Sequence, residues 1–201
     1  MGAGLPKERE IEAVLLLNLT RFVEWPTNSV EDRTAMVIGL IGRDPFGDFL
    51  ERAVAGERVN GRPIQVEHCQ SIQQALACQV VFISSSERSR CREIIAHLKG
   101  HPVLTVSDME DFARLDGGMI AFYVNAEHKV RLRLNVNSAR AEQLSFSSKL
   151  IQVSELERPN AAQPNQGAAG LELATGREKA ANIAATNSSG ASGAAKTDHH
   201  F

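Results

Sequence analysis

Three cysteines, six histidines and two serine–carboxylate clusters are the residues whose chemistry comes first to mind. Each fails a spacing test. The cysteines, Cys69, Cys78 and Cys91, are odd in number and contain no Cys-x-x-Cys, which disfavours both a zinc site and a dithiol enzyme. His68, His97, His101, His128, His199 and His200 form no His-x-x-x-His and pair with no cysteine at zinc spacing. Ser84-Ser-Ser-Glu87 and Ser107-Asp-Met-Glu110 lack the flanking glycines of a hydrolase nucleophile elbow. Both instead fit a capping box, with a hydroxyl and a carboxylate three residues apart. Gly39 to Gly47 stands where a strand meets a helix, yet no Gly-Lys-Ser/Thr follows, so it is no phosphate loop. There Asp44 before Pro45 reads as a plain helix N-cap. No catalytic, metal or cofactor set emerges.

The elements that must position these residues alternate. Ile11, Val14, Leu15, Leu19, Phe22 and Val23 follow the three-four spacing of a helix closing at Trp25-Pro26, with Asn18 on the same stripe. Leu16 and Leu17 lie off that stripe, so the helix is apolar on a second side. That side is either sandwiched in its own domain or turned toward another chain. Strands are expected at 36–41, 63–67, 79–83 and 102–106, and helices at 45–55, 71–77, 87–98 and 109–115. A hairpin follows at 119–124 and 130–136, and the domain closes with a helix at 138–143 and a segment ending at Val153. Unbroken apolar runs such as Val80-Val-Phe-Ile83 suit strands covered on both faces. The expected fold is therefore α/β: a three-layer sandwich, its sheet mostly parallel and covered by helices on both faces, with an antiparallel edge hairpin.

One folded unit accounts for most of the 201 residues. Residues 1–10 read as an N-terminal extension and 11–157 as the α/β domain. From 158 to 201 the chain turns to Ala, Gly, Asn, Ser and Gln, with too few large apolar groups to offset an ordering cost of about 1–2 kcal/mol per residue. A disordered low-complexity tail is expected there. A net charge of −2 with no basic run gives no electrostatic case for nucleic acid. No stretch approaches the roughly 18 apolar residues of a membrane span, and the N-terminus has no secretory apolar core. In a parallel layout Cys69 and Cys78 fall at opposite ends of the sheet, which leaves Cys69–Cys91 as the one candidate disulfide; three buried thiols are the plainer reading.

Phe22-Val-Glu-Trp-Pro26, Asp44-Pro-Phe-Gly47, Cys78 with Val81-Phe-Ile-Ser84, Leu104-Thr-Val-Ser-Asp108, Gly117-Gly118-Met-Ile120, Leu132-Arg-Leu-Asn135 and Ser147-Ser-Lys-Leu150 are ordinary singly. In this order and spacing the chain resembles the YfiR family of small periplasmic regulators. The resemblance runs from about Ile11 to Val153. It implies a non-catalytic exported homodimer without cofactors, which represses a membrane-bound diguanylate cyclase by binding that enzyme's periplasmic sensory domain and so controls cyclic-di-GMP. Candidate contacts for a partner or a second copy are Leu16, Leu17, Phe22 and Trp25. The alternative is a small-ligand sensor using the carboxyl edge of the sheet, near Asp44, Ser84, Ser107 and Asp108. Family members often carry a cysteine on the first strand facing the position of Cys78; the matching slot here is Gly39, so Cys78 lacks that partner.

Overall fold

The computed structural model describes residues 6–26, 34–115 and 117–157. The expected tail and the first five residues of the N-terminal extension lie outside them. In chain order, helix α1 (Lys7–Phe22) leads into a two-residue strand β1 (Val23–Glu24). Strand β2 (Met36–Ile41) is followed by α2 (Asp48–Val54), β3 (Arg58–Val59) and β4 (Arg62–His68). Next come α3 (Ile72–Leu76), β5 (Val80–Ile83), a 3₁₀ turn at Ser85–Glu87 and α4 (Cys91–Leu98). The chain continues through β6 (Leu104–Ser107), a 3₁₀ turn at Phe112–Arg114, β7 (Ile120–Val124) and β8 (Val130–Leu134). It closes with α5 (Val136–Ala141), β9 (Ser145–Phe146), α6 (Ser148–Gln152) and β10 (Glu155–Leu156).

Eight strands form one sheet in the order β10-β8-β7-β6-β5-β2-β4-β3, while β1 and β9 make a separate antiparallel pair. The run from β4 through β7 is parallel, and β7/β8 and β3/β4 are antiparallel hairpins. This is the expected α/β sandwich, with a difference at each edge. The β7/β8 hairpin is not terminal, because β10 adds parallel to β8 beyond it. The second hairpin, β3/β4, closes at Asn60-Gly61, where both residues take positive φ.

Alternation along the central strands explains the layers. Val80 and Phe82 join one apolar cluster together with Leu16, Leu50 and Phe122, whereas Val81 and Ile83 join another with Ile94, Ile95 and Phe112. Both faces of the sheet are thus buried, as the unbroken apolar runs require. Phe46 meets Phe82 edge to face with ring centroids 4.9 Å apart, inside the first cluster.

Several element ends differ from the sequence reading, for local reasons. Helix α1 stops at Phe22 because Val23 and Glu24 turn extended to pair with Phe146 and Ser145. The helix expected from Pro45 begins only at Asp48. Asp44 does not cap it; its Oδ1 accepts the Phe46 N–H at 2.7 Å in a tight turn, and Gly47 is the residue before the helix. The helix expected at 87–98 starts at Cys91, since Ser84 caps a 3₁₀ turn by accepting the Ser86 N–H. The segment 109–115 likewise holds a 3₁₀ turn and no α-helix.

Candidate functional site

The carboxyl edge of a parallel sheet is where a ligand would be sought. Here the four polar residues marked for that edge are engaged by the chain itself. Asp108, at the end of β6, accepts the Ser85 N–H at 2.7 Å, the Ser85 hydroxyl at 3.1 Å and Arg9 Nη1 at 2.9 Å. Ser84 Oγ accepts from both the N–H and the hydroxyl of Ser86, while that same Ser86 Oγ accepts the Arg43 N–H at 2.8 Å. The Ser107 hydroxyl donates to the Ile83 carbonyl at 2.6 Å and accepts the Met109 N–H. Asp44 closes its own turn. Asp108 thus braces the turn after the neighbouring strand.

Helix α1 reaches this edge through Arg9. The same guanidinium nitrogen also donates to Glu12 Oε2 at 2.7 Å. Glu12 is buried on the face of α1 that meets the core, and that burial pushes its carboxyl above the ordinary value near 4.5 despite the pull of Arg9. Thr20 on the same face donates its hydroxyl to the Leu17 carbonyl at 2.6 Å, so it too is satisfied.

Of the two readings left open for the second apolar side of α1, the structure takes the one in which it is sandwiched in its own domain. Leu16 is fully buried and Leu17 is 7 % exposed; with Ala13 and Leu19 they belong to the core, so neither is open to a partner. Of the stripe expected to be buried, Leu19 and Val23 are in the core, while its N-terminal members turn outward. Ile11 and Val14 are 39 % and 42 % exposed, and Leu15, Asn18 and Phe22 beside them are half-buried. The error has a physical source. Glu12 and Thr20 interrupt the inner stripe in sequence, and only their internal partners make burial affordable. Phe22 and Trp25 pack against the core cluster from its rim, and Trp25 Nε1 donates to the Gln79 carbonyl at 3.3 Å. Ile11 and Val14 are the residues that sequence reasoning missed as surface, and their own apolar spacing hid them.

The cysteines follow the plainer expectation in their state and depart from it in their pairing. All three are buried thiols, and the partner that Cys69 meets is Cys78, with sulfurs 3.8 Å apart, not Cys91. The expected separation overlooked where β5 begins. His68 at the end of β4 is level with Leu40, and Val80 at the start of β5 is level with Ile38, so the crossover steps back only two residues along β2. Five-residue α3 suffices for that step and brings both ends of the crossover over the same part of β2. Cys91 heads α4, where burial pushes its thiol up to about 11.

A comparison with known families matches residues 9–155 to the YfiR/HmsC-like family. The chain belongs to that family. Among individual curated proteins none matches it significantly. The YfiR/HmsC-like family consists of periplasmic regulators of cyclic-di-GMP signalling, not of catalysts. That agrees with a carboxyl edge whose marked polar groups brace one another. Among the described residues no group of three or more His, Cys, Asp or Glu is arranged to hold a metal ion, and no helix is long and apolar enough to cross a membrane. The YfiR resemblance set Gly39 opposite Cys78, and the geometry agrees: a Cβ built on Gly39 would stand 2.7 Å from Cys78 Sγ and 2.8 Å from Cys69 Sγ. In this family member two thiols fill the space over a bare strand position.

Proposed function

We propose that this YfiR/HmsC-like chain is a non-catalytic periplasmic regulator that holds a membrane-bound diguanylate cyclase in check by binding its periplasmic sensory domain. It recognises that receptor with the outer face of α1, along Ile11, Val14 and Leu15. The supporting observation is the exposed apolar pair Ile11 and Val14 on a helix whose opposite face already supplies Ala13, Leu16, Leu17 and Leu19 to the core. A helix needs one apolar face to fold; the second is available for another chain. Phe22 and Trp25 rim the same helix end and contribute at its margin. The family resemblance adds self-association to a dimer, which light scattering of the exported protein measures directly. The small-ligand alternative at the carboxyl edge is less well supported, because a ligand there would have to displace the bonds that Asp44, Ser84, Ser107 and Asp108 make internally.

The test is affinity capture from detergent-solubilised membranes of the source organism with the tagged, exported chain as bait. Mass spectrometry should identify a diguanylate cyclase with a periplasmic domain. Recovery of the bait alone would contradict the proposal.

A further inference from the structure

The thiol pair over Gly39 is placed to react with itself. We propose that Cys69 and Cys78 form a reversible intramolecular disulfide that fastens α3 onto β2 and β4. This inference does not depend on the receptor proposal.

Three observations carry it. The sulfurs already touch at 3.8 Å, and a disulfide brings them to roughly 2.05 Å. Both backbones are anchored, the Cys69 N–H donating to the Leu40 carbonyl at 2.8 Å and the Cys78 N–H to the Ala75 carbonyl at 3.0 Å. Gly39 below them has no side chain, and any Cβ there would lie within 2.8 Å of both sulfurs. The two sulfur atoms thus take the space that a side chain on Gly39 would need. Cys78 plays the part expected for it, but its partner comes from the end of β4 and not from β2.

Reactivity divides the cysteines in the same way. A hydrogen bond from Cys78 pulls the Cys69 thiol below its ordinary value, whereas burial pushes Cys91 up to about 11. The reactive thiols are therefore those of the pair, with Cys91 set apart. With a low-molecular-weight disulfide as oxidant, the Cys69 thiolate attacks one of its sulfurs and expels the first small thiol. The Cys78 thiolate then attacks the Cys69 sulfur of the mixed disulfide and expels the second. Two protein thiols are oxidised, one external disulfide is reduced to two thiols, and the two protein protons end on them. Access comes through α3, a five-residue helix with exposed Gln73 and Gln74, held at its start by the Ser71–Gln74 capping box.

The experiment incubates the whole folded protein with oxidised glutathione or with a reductant, then denatures it in an alkylating reagent and weighs it. Trypsin releases residues 59–88 as one peptide carrying both cysteines, because Pro63 shields Arg62. After oxidation that peptide should be unalkylated and two hydrogens lighter, while the intact chain takes up one alkyl group, on Cys91. Cys91→Ser should still form the bridge, and Cys69→Ser should not. Three alkylated cysteines after oxidation would overturn the proposal. So would a bridge to Cys91, or glutathione held stably on Cys69 with Cys78 alkylated.

Discussion

Arg9 and Asp108 lie ninety-nine residues apart in sequence and 2.9 Å apart in space. Their contact ties the first turn of α1 to the end of β6, and through Asp108 to the turn after β5. The Asp108 side chain is only 4 % exposed, so this pair works in a partly desolvated setting. It closes the edge at which an open parallel sheet would otherwise take a ligand.

Removing the centre of that network should cost more than removing its rim. Asp108→Ala removes a 4 % exposed carboxylate that the Ser85 N–H, the Ser85 hydroxyl and Arg9 all share, and should destabilise by about 2–3 kcal/mol. Arg9→Ala, at a 31 % exposed side chain, should cost about 1 kcal/mol. Urea unfolding of the two variants beside the parent measures both, and equal losses would mean that the network is not centred on Asp108.

Glu12 gives a pH signature with a definite sign. Burial raises its carboxyl above the ordinary value in the folded chain, so the folded state holds the proton more tightly than the unfolded one. Its contribution is fully present below about 4.5, the unfolded value, and is lost as pH rises through the raised folded value. Glu12→Gln removes the titration with little change of shape. The parent-minus-variant stability difference should therefore fall with rising pH across this window and then level off. A difference that grows across the window would show that the ion pair with Arg9 outweighs burial.

Gly118 marks a place where the fold has no room. A Cβ there would stand 2.1 Å from the Phe112 carbonyl oxygen, a backbone atom that cannot swing aside. Gly118→Ala should cost about 3 kcal/mol or more, or prevent folding, because the 3₁₀ turn at Phe112 must move. Thermal unfolding followed by circular dichroism checks this against Gly56→Ala. At Gly56 a Cβ meets nothing within 4 Å and only the backbone conformation, φ 79°, resists.

The sheet was legible in the sequence, and the two faces of α1 were not. Met36–Ile41 and the run Val80–Ile83 declare themselves because strands buried on both sides are apolar at every position. In α1 hydrophobicity alone misled, since the inner face contains Glu12 and Thr20 and the outer face is unbroken by charge from Ile11 to Leu15 and on to Phe22. Only the long-range partners of the polar residues decide which face turns inward, and Arg9 to Asp108 is such a partner. The Cys69–Cys78 contact was hidden for a related reason. The place of α3 was read to within one residue at each end, but not the register of β5 against β2, and register is set by packing across the sheet.

The outward apolar residues of α1 also supply the most direct test of the receptor proposal. Ile11→Glu combined with Val14→Glu changes only exposed positions and should keep the folding stability within about 1 kcal/mol of the parent. Leu16→Ala, in the core, should lose about 2–5 kcal/mol. Binding of each folded variant to the periplasmic sensory domain recovered by affinity capture can be followed by titration calorimetry. The account predicts that the double variant folds normally and binds at least about tenfold more weakly, a loss of about 1.4 kcal/mol or more. Unchanged binding by a well-folded double variant would contradict it.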